Sequence, residues 1–253
     1  MGAMEPLIPD WADLPDNIGA LSTTRRGGTS TAPYDDGSGG GGLNLGAHVG
    51  DDPACVQRNR ELLRAELPAE PAWLMQVHGA DVLDACLVRP MSRADASISI
   101  RSGVVCAIQT ADCLPVLLCD AQGRVVGAAH AGWRGLVNGV LQNTVSRMRD
   151  AGSEEILAWL GPAIGPQRFE VGTDVFDAFV GRDARMAGAF TPIASQQGKY
   201  LADIYLLAQK ALTACGVTRI AGGGLCTMTD TQRFYSYRRD GITGRMASLI
   251  WIK

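Results

Sequence analysis

Apolar positions follow two rhythms along this chain. Helical spacing is clear at Val56, Leu62, Leu63 and Leu67, with Asp52 able to cap and Pro53 suited to the first turn, so a helix is predicted to start there. Leu136, Val137, Val140, Leu141, Val145 and Met148 repeat that spacing. Two further helices are predicted, one capped by Thr173 or Asp174 and running through Phe179, the other capped by Asp203 and running to Gly216. β-Rich runs occupy residues 104–108, 114–119, 124–130, 156–160, 217–221, 234–238 and 247–252. Gly161-Pro162-Ala163-Ile164-Gly165-Pro166 after the fourth run reads as a stiff loop that shapes a pocket wall.

Asp120-Ala121-Gln122-Gly123 joins the second and third runs as a hairpin. A two-residue loop places Cys113 directly opposite His130, whereas a three-residue loop with Gly123 as a left-handed bulge residue places His130 opposite Leu114. Either register gathers the thiol and the imidazole at one end of the hairpin. Helices and strands interleave without a steady βαβ beat, so the pattern predicts an α+β fold, mixed β-sheets flanked by helices, in one domain over residues 5–253.

At 253 residues and 46% hydrophobic, the chain can bury a large core within one domain. A net charge of −3 argues against a nucleic-acid partner, which calls for a basic face. Seven cysteines without a scaffold rhythm imply a reducing compartment, and a cytoplasmic location is expected. No signal-like leader or span-length apolar run is visible, so export and membrane insertion are not expected. Gly37-Ser38-Gly39-Gly40-Gly41-Gly42 reads as a flexible surface loop, and Met1-Gly2-Ala3 as an expression scar ahead of a native Met4.

Chemistry concentrates around the histidines. There are three, and His78 and His130 lie in dense motifs on either side of Cys113. Two imidazoles and one thiolate are the ligand set that Zn²⁺ takes when one position stays open for water or substrate. Asp112 is the nearest candidate for orienting a ligand or moving a proton, and Asp81 a candidate for supporting His78. Arg134, between His130 and a helix N-terminus, suits an anion such as phosphate. Paired Cys-x-x-Cys ligands, a phosphate loop with its lysine, and a dinucleotide-binding glycine pattern are all missing from the sequence, which sets aside the usual zinc deaminases and nucleotide-cofactor enzymes.

The motifs Thr23-Thr24-Arg25, Asn44-Leu45-Gly46, Gln76-Val77-His78-Gly79, Thr110-Ala111-Asp112-Cys113-Leu114-Pro115, His130-Ala131-Gly132-Trp133-Arg134-Gly135, Phe169-Glu170-Val171-Gly172 and Tyr235-Ser236-Tyr237-Arg238-Arg239 closely resemble the bacterial YfiH family over essentially the whole chain. That family has been described as a laccase-like polyphenol oxidase, a multifunctional purine nucleoside phosphorylase and adenosine deaminase, and a peptidoglycan editing factor. The resemblance implies zinc on His78, Cys113 and His130, and phosphorolysis of adenosine, inosine and methylthioadenosine with deamination of adenosine. The glycine run before Asn44 departs from the family's tighter turn. Asp112 and Arg134 are the expected catalytic residues, and Asn44, Gln76, Arg134 and Glu170 the expected substrate contacts. Two alternatives stay open: Cu²⁺ in place of Zn²⁺ for phenol oxidation, and a metal-free hydrolase with Cys113 as nucleophile and His130 as base.

Overall fold

The computed structural model describes residues 4–253, so the proposed scar at residues 1–3 lies outside the described residues. Its centre is a six-stranded sheet built from β3 (Val82–Asp84), β4 (Ala96–Ser99), β6 (Leu114–Asp120), β7 (Val126–Ala131), β8 (Ile156–Leu160) and β12 (Arg219–Gly222), in the order β12-β8-β6-β7-β4-β3. The outermost pairs at each side are parallel and the inner ones antiparallel, so the sheet is mixed. A second, antiparallel sheet has the order β1-β13-β5, from β1 (Ile18–Ser22), β13 (Met246–Ile252) and β5 (Val105–Thr110). A small third sheet joins β9 (Glu170–Gly172), β11 (Lys199–Ala202) and β10 (Phe190–Pro192), and β2 (Arg26–Ser30) lies apart. The helices are α1 (Pro53–Arg64), α2 (Trp133–Asn138), α3 (Val140–Asp150), α4 (Thr173–Val180), α5 (Ile204–Ala214) and α6 (Tyr237–Asp240).

Side-chain alternation along β6 explains the layering. Leu114, Val116 and Leu118 pack with Val140, Leu141, Val145 and Met148 of α3 and with Ile204 and Leu207 of α5. Leu117 and Cys119 point the other way, onto Cys106 and Ile108 of β5 and Ile250 of β13. The far face of the three-stranded sheet, with Val105, Ala107 and Leu249, closes on Leu43, Leu45 and Leu63 of α1. The stack is therefore α1, three-stranded sheet, six-stranded sheet, then α3 with α5. Strands covered on both faces read as unbroken apolar runs, which is why β5, β6 and β8 are visible in the sequence. The α+β fold with mixed sheets flanked by helices is as expected, and no described helix is long and apolar enough to cross a membrane.

Several local expectations are corrected. The hairpin takes neither predicted register: Pro115 pairs with His130 and Leu114 with Ala131. The carboxylate of Asp120 accepts the Val125 N–H at 3.0 Å while the Asp120 N–H donates to the Val125 carbonyl at 2.9 Å, so four residues, 121–124, form the loop around a side chain. The helical stripe from Leu136 to Met148 is two helices, broken where Gly139 adopts φ 89°. Residues 234–238 are not a strand. Phe234 and Tyr235 are a buried plug packed with Ala111 and Met246, after which the Ser236 hydroxyl accepts the Arg239 N–H at 3.2 Å and starts α6. Gly172, not Thr173 or Asp174, is the N-cap of α4, without a side-chain bond. Asp52 and Asp203 do cap α1 and α5. In the glycine run, Asp36 organises the loop by accepting the Ser38 and Gly40 N–H groups at 2.8 and 2.9 Å.

Candidate metal centre and its cavities

His130 is the penultimate residue of β7, and its side chain takes the face of the six-stranded sheet that meets β5 and β13. Cys113 lies two residues before Pro115, the partner of His130, and so shares that face from a diagonal position just ahead of β6. The turn that delivers it passes through Asp112 at φ 91°. His78 comes from a loop, also with a left-handed backbone at φ 58°. The ligand atoms of His78, Cys113 and His130 all lie within 4.8 Å of one another, and the His78 Nε2 is 3.8 Å from the Cys113 Sγ. Two ligands with bonds of ~2.0–2.3 Å in tetrahedral geometry stand roughly 3.5 Å apart, so the set fits a metal with little movement.

Asp95 fixes this arrangement, from just ahead of β4. Fully buried, it accepts the Val77, His78 and Gly79 N–H groups at 3.1, 2.9 and 2.7 Å and bonds the His130 Nδ1 at 2.8 Å. One carboxylate thereby shapes the His78 loop and turns His130 so that Nε2 is its free nitrogen, the usual supporting arrangement for a metal-bound histidine. Burial pushes the Asp95 carboxyl up, but the bond from His130 and those N–H groups outweigh it and hold it below the usual 3.8. Burial also opposes the Cys113 thiolate, yet His130 and then His78 bring the thiol down to about 6. His130 in turn is raised to about 9, burial being overcome by Cys113 and Asp95. Asp81, expected to support His78, contributes only its backbone carbonyl, to Asp95 and Ala96.

The ligands sit between two cavities. The larger, about 350 Å³, is lined by His48, Leu74, Gln76, Gln109 and Arg245. The smaller, about 160 Å³, is lined by Asp112, Trp133, Arg134, Phe169 and Arg238. His78, Cys113, Ala111 and the exposed Tyr237 border both. Glycine at 132 leaves room for the trio, since a Cβ there would stand a tight 3.1 Å from both the Cys113 Sγ and the His78 Cδ2.

The family whose model matches residues 19–253 is described as multi-copper polyphenol oxidoreductase laccase. A protein of Escherichia coli named purine nucleoside phosphorylase YfiH is 54% identical over 250 residues, covering 97% of this chain and 98% of the relative. The chain belongs to the YfiH family. A relative from Haemophilus influenzae, named purine nucleoside phosphorylase, is 45% identical over 252 residues, 99% of this chain and 100% of its own. The fold of the YfiH-family chain matches a crystal structure of a Neisseria meningitidis protein with a TM-score of 0.90 at 46% identity, over 100% of both chains. It also matches that of the Bacillus licheniformis hypothetical protein YfiH, with a TM-score of 0.85 at 29% identity over 93% of each.

Some expected contacts of this YfiH-family site turn out to be framework. Asn44 is fully buried and hydrogen-bonded through both amide atoms, with Oδ1 accepting the Gly46 and Arg245 N–H groups, so it cannot face substrate. Gln76 borders the larger cavity, but its amide pairs with the Gln109 backbone, both bonds at 2.8 Å. Glu170 lines neither cavity; its carbonyl accepts Arg238 Nη1 at 2.8 Å and its carboxylate lies 3.5 Å from Lys199. Both carboxylate oxygens of Asp112 are engaged, with the Thr227 hydroxyl and the Arg238 N–H at 2.6 Å each, which pins the Cys113 turn. Arg134 is exposed and stacks over Trp133 at 4.4 Å, bordering the smaller cavity. Sequence reasoning missed Asp95, Tyr237, Arg238 and Arg245. The last three lie in or near a motif read as a strand, and nothing local distinguishes Asp95.

Proposed function

We propose that the protein is a zinc-dependent purine nucleoside phosphorylase of the cytoplasm. It converts adenosine, inosine or methylthioadenosine and phosphate to free base and ribose 1-phosphate, and also deaminates adenosine. The observation that carries this reading is the convergence of His78, Cys113 and His130 between one cavity of nucleoside size and a smaller, arginine-lined one. The names of the relatives point to the same reaction. His78, Cys113 and His130 would hold the zinc, which supplies Lewis-acid activation for attack on C6 of adenine. Arg134 and Arg238 hold phosphate through guanidinium N–H groups. α2, with six residues, adds little dipole, so the anion rests on the two side chains. Tyr237, on the rim of both cavities, positions the sugar between them.

Copper-dependent phenol oxidation is the reading that the family description favours. Among the described residues there is one cluster of this kind, enough for a single metal, whereas laccase chemistry draws on several. A cysteine hydrolase acting on peptidoglycan precursors draws on the series Asp95, His130, Cys113 as orienter, base and nucleophile. In that reading His78, on the thiol at 3.8 Å, has no task.

The test is chromatography of both products from adenosine, with and without phosphate. Purine release should require phosphate. Arg134→Ala should lower it about tenfold to a hundredfold, the loss of one charge-assisted hydrogen bond in the transition state, while deamination changes less. Phosphate-independent purine release would refute phosphorolysis, and equal losses would remove Arg134 from phosphate binding.

A further inference from the structure

The larger cavity holds a cation that the protein leaves unneutralised. Arg245 borders it beside His48 and Gln109, and its Nη1 donates to the Thr243 and Gly244 carbonyls at 3.0 Å each. Among the described residues it enters no ion pair, and its Nε and Nη2 donors have no partner. A guanidinium keeps its charge and carries five N–H donors, and the Nε and Nη2 groups of this half-buried side chain, which are not enclosed, are open to a ligand in the cavity. Burial is in fact the main influence disfavouring its charged form, opposed by Cys113 and Asp112.

The chain builds a dedicated seat for this residue. The Asn44 Oδ1 accepts the Arg245 N–H at 2.8 Å, and the Arg245 carbonyl accepts the Leu45 N–H at 3.1 Å. At Gly46 a Cβ would stand 2.8 Å from the Arg245 Cγ, so only glycine leaves room for the stem. Asn44-Leu45-Gly46 thus aims Arg245 at the cavity without touching a ligand itself. His48 beside it is held below its usual 6.5 by burial and by the charges of Arg245 and Arg60, so it adds a neutral imidazole to the same wall.

We infer that Arg245 binds the purine ring of the nucleoside and stabilises the negative charge that forms on it as the glycosidic bond breaks. The inference rests on the phosphorolysis reading above. A phosphate oxygen forms the new bond to C1′, the electron pair of the C1′–N9 bond passes to the base, and the purine anion then takes its proton from water. Arg245 keeps its own protons throughout and acts by charge and N–H donation where the charge develops. Phosphate itself has a separate place, since Arg134 and Arg238 border the smaller cavity beyond Cys113 and His78.

The experiment compares inosine with 7-methylinosine, whose base is already cationic and leaves neutral. Arg245→Gln should lower kcat/KM for inosine by about 10²-fold and for 7-methylinosine by less than about threefold. Arg245→Lys should recover part of the loss, and the KM for phosphate should stay at the wild-type value in both variants. Equal losses on the two nucleosides, with no recovery by lysine, would overturn the inference and leave phosphorolysis standing. A raised KM for phosphate would overturn it in favour of phosphate binding by Arg245. If wild-type enzyme cleaves neither nucleoside in the presence of phosphate, the phosphorolysis reading fails and this one with it.

Discussion

Asp95 shows how one side chain can carry a site without belonging to it. Removing a buried carboxylate that serves three N–H groups and an imidazole leaves all four without their partner. Asp95→Ala should cost about 3–5 kcal/mol of stability and roughly 10–100-fold in metal affinity, read by denaturant titration and by competition with a chelator. Because the folded-state pKa lies below 3.8, the stabilisation is complete above that value and is lost as pH falls through the folded one. In metal-free protein, the gap between wild type and Asp95→Ala should therefore narrow on acidification below about pH 4, and a gap that widens there would contradict this role. The trio that the structure gathers was legible because histidine is scarce in this chain, with three, and imidazole and thiol are chemically distinctive. Asp95 was not, since its meaning depends on bringing residues 77–79 and 130 to one carboxylate, a long-range fact with no local signature. Arg245 was hidden for the same reason, its seat being formed 200 residues earlier in the chain by Asn44 and Gly46.

Elements bring the ligands together through backbone geometry as much as through side chains. The β6–β7 hairpin was predictable, its register was not, because the loop closes on the Asp120 carboxylate and side-chain capping of this kind changes the count of loop residues. Cys113 and His130 nevertheless meet, since the observed register is shifted by two residues from direct pairing, which keeps both on the inner face and leaves them diagonally adjacent. Behind them, α2 starts close to the candidate metal centre from its N-cap, Gly132, whose lack of a side chain leaves room for Cys113 and His78. Gly132→Ala would press a methyl group to 3.1 Å from Cys113 and His78, closer than ordinary contact, and ligands rather than helix would have to yield. This variant should keep its fold, with a stability loss of about 1–3 kcal/mol typical of overpacking, and lose metal occupancy. Elemental analysis beside a melting curve checks both, and full occupancy at wild-type affinity would show that the turn has slack. The segment 234–238 misleads for a complementary reason: aromatic residues favour strands, but Phe234 and Tyr235 serve here as a buried plug, and a plug and a strand share that composition.

Across the whole molecule, the three ligands come from separate parts of the chain that the sheet stack holds together: the loop before β3, the turn between β5 and β6, and the end of β7. A metal bound there links segments that are far apart in sequence, and since the unfolded chain does not present the set, binding adds RT ln(1 + [metal]/Kd) to folding stability. At about a thousand times Kd this is about 4 kcal/mol, which for a domain of this size corresponds to roughly 8–16 °C in Tm. Chelated protein should melt lower by that order, and zinc should restore the difference in wild type but not in Cys113→Ala, which lacks the thiolate. The same samples separate metal chemistry from hydrolase chemistry. Cys113, with its pKa brought down to about 6 by the two histidines, should be alkylated rapidly once metal is removed, with a rate that rises through that pH, and slowly when zinc shields the sulfur. Peptide mapping distinguishes it from the other free cysteines. Equal melting and equal alkylation with and without zinc would mean that the trio is no metal centre, and would leave Cys113, His130 and Asp95 as the catalytic group.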